Sequence, residues 1–154
     1  MSRLRGNSPA TVDEKGRIKI PSCFKAALDS LSAAANQDGL RFYLTSFDGQ
    51  CALLYPLHVW EAIEERLSKL PSTLEARKKF LDKTSYFGSE IEPDAQGRFV
   101  IQPILRSKAN LVGEVVVLGQ MDHLVIWNRT AFEGRISAEP LTTAHLDQLA
   151  ELGI

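Results

Sequence analysis

The sequence predicts an α+β protein, mainly β, in which one β-α-β-β-α unit is used twice. The segment Asp13-Glu14-Lys15-Gly16-Arg17 returns in the second half as Asp94-Ala95-Gln96-Gly97-Arg98. Tyr55 and Trp60 return, with the same spacing between them, as Trp127 and Phe132. Each D-x-x-G-R segment is followed by a short stretch of polar and apolar alternation, then by proline and a helix-like apolar spacing.

In both copies an Asp opens the four-residue segment and a Gly closes it, the preference of a type I turn. The Gly accepts the positive φ that ends a three-residue loop with a bulge. Each segment is therefore predicted to be a hairpin tip, with arms over residues 9–21 and 91–102. The alternation that follows puts Arg17 and Lys19 on one strand face and Ile18 and Ile20 on the other. Arg98 is likewise set against Phe99 and Ile101.

Between the tips the chain reads in order. Pro21-Ser22 ends the first hairpin and offers Ser22 as a helix cap before Phe24, Ala27, Leu28 and Leu31. Residues 33–39 are small and polar and read as a loop. Strands over 40–44 and 51–55 flank Asp48-Gly49, a hairpin-turn signal. After Pro56, the residues Trp60, Ile63, Leu67 and Leu70 line one helix face opposite Glu61, Glu64, Glu65 and Arg66. A second helix over 73–87 carries Arg77, Lys78, Lys79 and Lys83, a solvated basic face or a secondary phosphate contact. The second half repeats the plan with Pro103, a short helix through Leu105, and strands over 114–118 and 123–127. The interval from tip to aromatic pair is shorter in the second copy, which places a deletion in the 33–39 loop, where length changes are cheapest. Beyond Glu133 the apolar Leu141, Leu146, Leu149 and Leu152 are compatible with a terminal helix or a frayed tail.

With 154 residues and 44% hydrophobic composition, the chain can bury a core as one domain or as two small ones sharing an interface. Eighteen bases against 19 acids leave a net charge of -1, so total charge gives no support for a nucleic-acid partner. Distribution is more informative. Residues 3–25 hold six bases and two acids, a net +4, whereas residues 90–108 hold three of each. Cys23 and Cys51 lack metal or redox spacing, no apolar signal core follows Met1, and no run approaches the ~20 residues of a membrane helix, so a soluble cytoplasmic protein is expected.

With the repeated Asp13-x-Lys-Gly-Arg17 leading into Ile20-Pro21, and Asp94-x-Gln-Gly-Arg98, go Arg5-Gly6-Asn7, Leu53 to Leu57 with Trp60, and Val116 to Gln120 with Ile126-Trp127. In these residues, over roughly 5–132, the chain resembles the MraZ family of bacterial transcriptional regulators, built from two tandem SpoVT-AbrB domains. The resemblance implies a first AbrB-like unit over 5–70, a helical linker over 71–88, a second unit over 89–135 and a tail over 136–154. It further implies a swapped-hairpin β-barrel in which the two units act as a pseudo-dimer, with chains assembling into a ring. The implied activity is sequence-specific binding to direct repeats of double-stranded DNA upstream of the division and cell-wall genes, with repression as the usual outcome and a nucleoid-associated location. DNA-contacting residues carried over are Arg17, Lys15 and, by duplication, Arg98, with Arg5 and Lys19 as neighbouring basic contacts. Asp13, Gly16, Asp94 and Gly97 are assigned to the turns. The chain departs from the family pattern at Leu4, where Phe is usual, and at Gln102, where a second proline is usual. The neutral surroundings of the second copy lead to the expectation that Arg98 contributes less than Arg17.

Two other classes compete. An enzyme would need convergent chemistry, yet His58, His123 and His145 are scattered and no glycine-rich phosphate loop follows a strand. Cys23 follows the helix cap and is read as a partly buried structural thiol. No enzyme activity, metal or cofactor is expected. A protein-interaction module acting through the same hairpins is the alternative, separable by salt dependence.

Overall fold

The computed structural model describes residues 3–154. The chain runs β1 (Asn7–Val12), β2 (Arg17–Lys19), α1 (Ser22–Ala34), β3 (Phe42–Thr45), β4 (Ala52–Pro56), α2 (Leu57–Ser68) and α3 (Glu75–Tyr86). It continues through β5 (Ser89–Ile91), β6 (Arg98–Val100), α4 (Pro103–Lys108), β7 (Gly113–Gln120), β8 (His123–Asn128), α5 (Arg129–Ala138) and α6 (Thr143–Glu151). The duplicated β-α-β-β-α order is present as expected, with each tip joining two short strands. The strands form an antiparallel six-stranded sheet ordered β1-β7-β8-β4-β3-β5 and a separate two-stranded ribbon, β2-β6. The sheet order is open, not a closed barrel.

The expected hairpin arms are redistributed. β1 pairs along its length with β7 of the second half, and β5 pairs with β3 of the first. β2 leaves the same turn as β1 but pairs with β6. Across the tip itself the arms share backbone bonds only inside the turn: Asp13 N–H donates to the Arg17 carbonyl at 3.0 Å, and Asp94 N–H to that of Arg98 at 2.9 Å. The short polar-apolar alternation is satisfied by any neighbour in register, so the burial it demands is met by strands distant in sequence.

Two pairings bring duplicated positions face to face. In the ribbon Ile18 lies opposite Phe99, its counterpart in the second D-x-x-G-R copy. At the sheet centre Leu53 lies opposite Val125, its counterpart when Tyr55 is aligned with Trp127. The crossing bonds repeat the relation, because Ile20 N–H donates to the Gly97 carbonyl and Ile101 N–H to the Gly16 carbonyl, both at 2.9 Å.

The central strands β4 and β8 are buried on both faces, which explains their nearly continuous apolar sequence. On one face Ala52, Leu54, Leu124 and Ile126 join Ile18, Phe24, Leu28, Phe99, Ile101 and Leu105 from the ribbon, α1 and α4. On the other, Leu53, Tyr55, Val125 and Trp127 meet Trp60 of α2, with Phe80 of α3 and Phe132 of α5 packed against them. Each helix folds back over the strand before it, as the aromatic spacing predicts. The Tyr55 and Trp60 rings are 5.2 Å apart, and those of Trp127 and Phe132 are 5.6 Å apart. Full burial of one such side chain is worth about 1.5–3 kcal/mol, so these two layers dominate the stability.

Several expectations shift. α1 starts at Ser22 with Pro21 in the cap position and no side-chain cap. It spans 13 residues whereas α4, starting at the duplicated position, spans 6, so most of the deletion between the copies shortens the helix rather than the loop. Cys23 is exposed instead of partly buried, because α1 turns Phe24, Leu28 and Ser32 inward. Cys51 is half-buried, and burial pushes its thiol up to about 12, which leaves it protonated. Leu70 is exposed beyond the end of α2 rather than on its packed face. The tail folds as α6, held by a capping box between Thr142 and His145, but none of its residues is buried. Gln102, at the departure from the double proline, caps α4: its side-chain oxygen accepts from Ile104 N–H at 3.0 Å. Among the described residues no helix is long and apolar enough to cross a membrane.

Candidate nucleic-acid interface

The two turns are built alike, bond for bond. Asp13 Oδ1 accepts from the backbone N–H groups of Lys15 and Arg17, each at 2.9 Å, and Oδ2 accepts from Arg17 Nε at 2.8 Å. Asp94 Oδ1 accepts from Gln96 and Arg98 N–H at 2.9 Å each, and Oδ2 from Arg98 Nε at 3.1 Å. These bonds, led by the one from the backbone N–H of the Arg, hold both carboxyl groups below their ordinary pKa. Each Asp thus bonds the backbone of its own turn. Each engages its Arg through Nε, which orients the guanidinium while leaving it on the surface. The glycines have φ of +80° at Gly16 and +77° at Gly97, a conformation that costs a side chain about 1–2 kcal/mol.

The ribbon then joins what the sequence separates. Ile18 and Phe99 point into the core, so Arg17, Lys19, Arg98 and Val100 share the outer face. Lys19 lies directly opposite Arg98, and Arg17 opposite Val100. Like charges across a strand pair repel, and here the ion pairs of Arg17 with Asp13 and of Arg98 with Asp94 temper that repulsion. Exposed Lys15 extends the cationic surface onto the first turn. Arg5 is not part of the cluster. It lies at the opposite end of β1, where Leu4 pairs with Met121 in the β7–β8 turn. Along an extended strand that is roughly 25 Å from the tip. A Cβ on Gly119 would meet the Arg5 backbone at 2.6 Å, so only glycine admits this crossing.

Acidic groups flank one side. A cleft of about 370 Å³ beside the ribbon is lined by Arg17, Arg98, Glu90, Glu92 and Asp94. On the other side Lys19 faces a cleft of about 440 Å³ lined by uncharged Ser8, Ala10, Thr11 and Ser22. The remaining candidates sit elsewhere in structural roles. His58 approaches Gln37 at 3.3 Å, His123 pairs with Asp122 at 2.8 Å and stacks on Tyr55, and His145 caps α6. Among the described residues no three His, Cys, Asp or Glu side chains are grouped to hold a metal.

Sequence reasoning missed Arg106. Its Nη1 donates to the Lys15 and Ile101 carbonyls, both at 3.1 Å, and covers the first turn. A methyl group on Gly16 would collide with that nitrogen, whereas nothing lies within 4 Å of the same position at Gly97. Gly97→Ala is expected to cost about 1–2 kcal/mol from backbone strain alone. Gly16→Ala is expected to cost roughly 2–4 kcal/mol, because Arg106 must also give up its hydrogen bonds. Urea unfolding of both variants checks this, and equal midpoint shifts would contradict it.

Fold and site together define a mainly β α+β protein in which a two-stranded ribbon assembled from duplicated turns carries Arg17, Lys19 and Arg98 on one exposed face. Comparison with known proteins narrows the class. The family model described as "MraZ protein, putative antitoxin-like" matches residues 88–148. A protein of Acidobacterium capsulatum named "Transcriptional regulator MraZ" is 43% identical over 98% of this chain and 99% of its own length. Proteins of the same name are 40% identical in Koribacter versatilis, over 98% and 99%, and 32% identical in Escherichia coli, over 94% and 95%. The chain belongs to the MraZ family.

Proposed function

We propose that this chain is a sequence-specific DNA-binding transcriptional regulator that docks the β2–β6 ribbon on promoter direct repeats and acts as a repressor of the division and cell-wall genes. One observation carries the reading: strands from two distant segments bring Arg17, Lys19 and Arg98 to a single outer face. A two-stranded ribbon fits the major groove, where a guanidinium fork contacts guanine edges or phosphates. The relatives, named as transcriptional regulators, support the regulatory role. Arg5 would serve as a contact separate from the ribbon.

The strand exchange supports the remainder of the assignment. Units over 5–70 and 89–135, with the linker 71–88 between them and the tail 136–154 after, form a swapped-hairpin pseudo-dimer, since β1 and β5 each complete the opposite half. A chain of net charge -1 with few ribbon contacts binds modestly alone. Assembly into a ring raises the effective concentration of ribbons over repeated sites. Two exposed apolar features favour assembly: the Leu141, Leu146, Leu149 and Leu152 side chains of the tail, and a groove of about 510 Å³ lined by Pro9, Val116, Leu118, Phe132 and Ile136.

The test combines light scattering, with and without a promoter duplex, and anisotropy titrations across salt. Scattering should give a multiple of the chain mass that gains duplex mass. Affinity should fall with a log–log salt slope of about -0.9 for each phosphate neutralised, or roughly -3 for one ribbon. Binding insensitive to salt would instead favour the protein-interaction alternative.

A further inference from the structure

Arg106 lies outside both D-x-x-G-R segments, yet it ties the first of them to the exit of the second ribbon strand. Its guanidinium holds the carbonyl of Lys15 in the first turn and that of Ile101 at the exit of the second ribbon strand. Its own base is fixed, since α4 begins at Pro103 under the Gln102 cap and Leu105 beside it is fully buried. The equivalent residue of the first half, when the two tips are aligned, is Lys25, exposed on α1. At the duplicated turn no atom lies within 4 Å of a Cβ added to Gly97, so Lys25 does not cover it as Arg106 covers Gly16. Both turns keep their internal and crossing backbone bonds, and the first adds a side-chain brace. A planar guanidinium can bridge two carbonyls from a set position, and an ammonium on a four-carbon stem is far less directed.

We propose that Arg106 is a positioning residue that presets the Arg17 turn, leaving the Arg98 turn to adjust on binding, so that the two turns contribute unequally to sequence discrimination. This rests on the DNA-binding reading and adds to it a division of labour within one ribbon. A contact held in place beforehand does not have to be ordered on association, and that saving is largest for the correctly matched site. The turn without the brace still supplies charge, which matters to every sequence alike.

The test uses the full chain and two duplexes of equal length, one with the repeat and one scrambled, read by anisotropy. Arg106→Lys keeps the charge and removes the bridge. The ratio of repeat to scrambled affinity is expected to fall roughly three- to tenfold, the factor that one hydrogen bond carries, while scrambled affinity holds. Lys25→Arg is expected to raise the ratio by supplying the missing brace to the Gly97 turn. An unchanged ratio in Arg106→Lys overturns the proposal, as does an equal loss on both duplexes, which would mark a general effect of folding or charge. A ratio unmoved by Lys25→Arg overturns the claim that the missing brace sets the two turns apart. Should Arg17→Ala leave repeat binding intact, the DNA reading itself fails, a result distinct from Arg106→Lys being silent while Arg17→Ala is not.

Discussion

Arg17→Ala is expected to weaken binding to a repeat duplex by about 1–3 kcal/mol, the worth of a side chain that reads a base edge. Arg98→Ala is expected to lose less. The linear charge count suggests that ranking, and the structure changes its basis. Both Arg residues share the ribbon face, and both line the cleft that holds Glu90 and Glu92, so proximity to acid does not separate them. What differs is the side-chain support of each turn, braced by Arg106 at Gly16 and without that brace at Gly97. The salt slope adds a second criterion. If Arg98 meets only phosphate, Arg98→Ala should flatten the slope by about one and weaken all sequences equally. Equal losses of discrimination in the two variants would refute the ranking.

The second large effect concerns stability. Phe99→Ala is expected to destabilise the protein by about 3–5 kcal/mol, the usual result of truncating a buried aromatic. Phe99 is 6% exposed and lies opposite Ile18, so the two form the apolar underside of the ribbon. In a chain of this size the loss corresponds to a fall in Tm of roughly 6–20 °C. It should also reduce DNA affinity below the melting range, since a cavity there loosens the strands that aim Arg17 and Arg98. Calorimetry and anisotropy on the same samples separate the effects. A lowered Tm with unaltered affinity would show that the ribbon keeps its geometry without its floor.

Local chemistry was legible in the sequence because its causes are local. An Asp that bonds the backbone ahead of it and a Gly with positive φ define a turn within a single short segment, and both turns form as expected. The aromatic pairs Tyr55–Trp60 and Trp127–Phe132 span one strand-to-helix corner each, and they also form. Strand partnership was not legible. Alternation states which face of β2 is buried, but not that its neighbour is β6 rather than β1. The cationic face depends on that choice, so the sequence supplied its members without their arrangement. Arg106 was hidden for a related reason, since its partner Lys15 lies in the other half. The one available signal was its alignment with Lys25, which set an Arg against a Lys where the surrounding pattern was otherwise duplicated.

The exchange of strands between the halves also bears on how the nascent chain acquires this shape. Asn7 must find Leu118, and Phe42 must find Ile91, so β1 and one edge of β3 stay unpaired while the second half is still being synthesised. Such distant pairings give a high contact order and slow folding, and bare strand edges invite association between neighbouring molecules. A premature stop codon that truncated the chain before β7 would leave a first half that lacks its own edge partner, and the expected fate of that fragment is aggregation rather than partial activity.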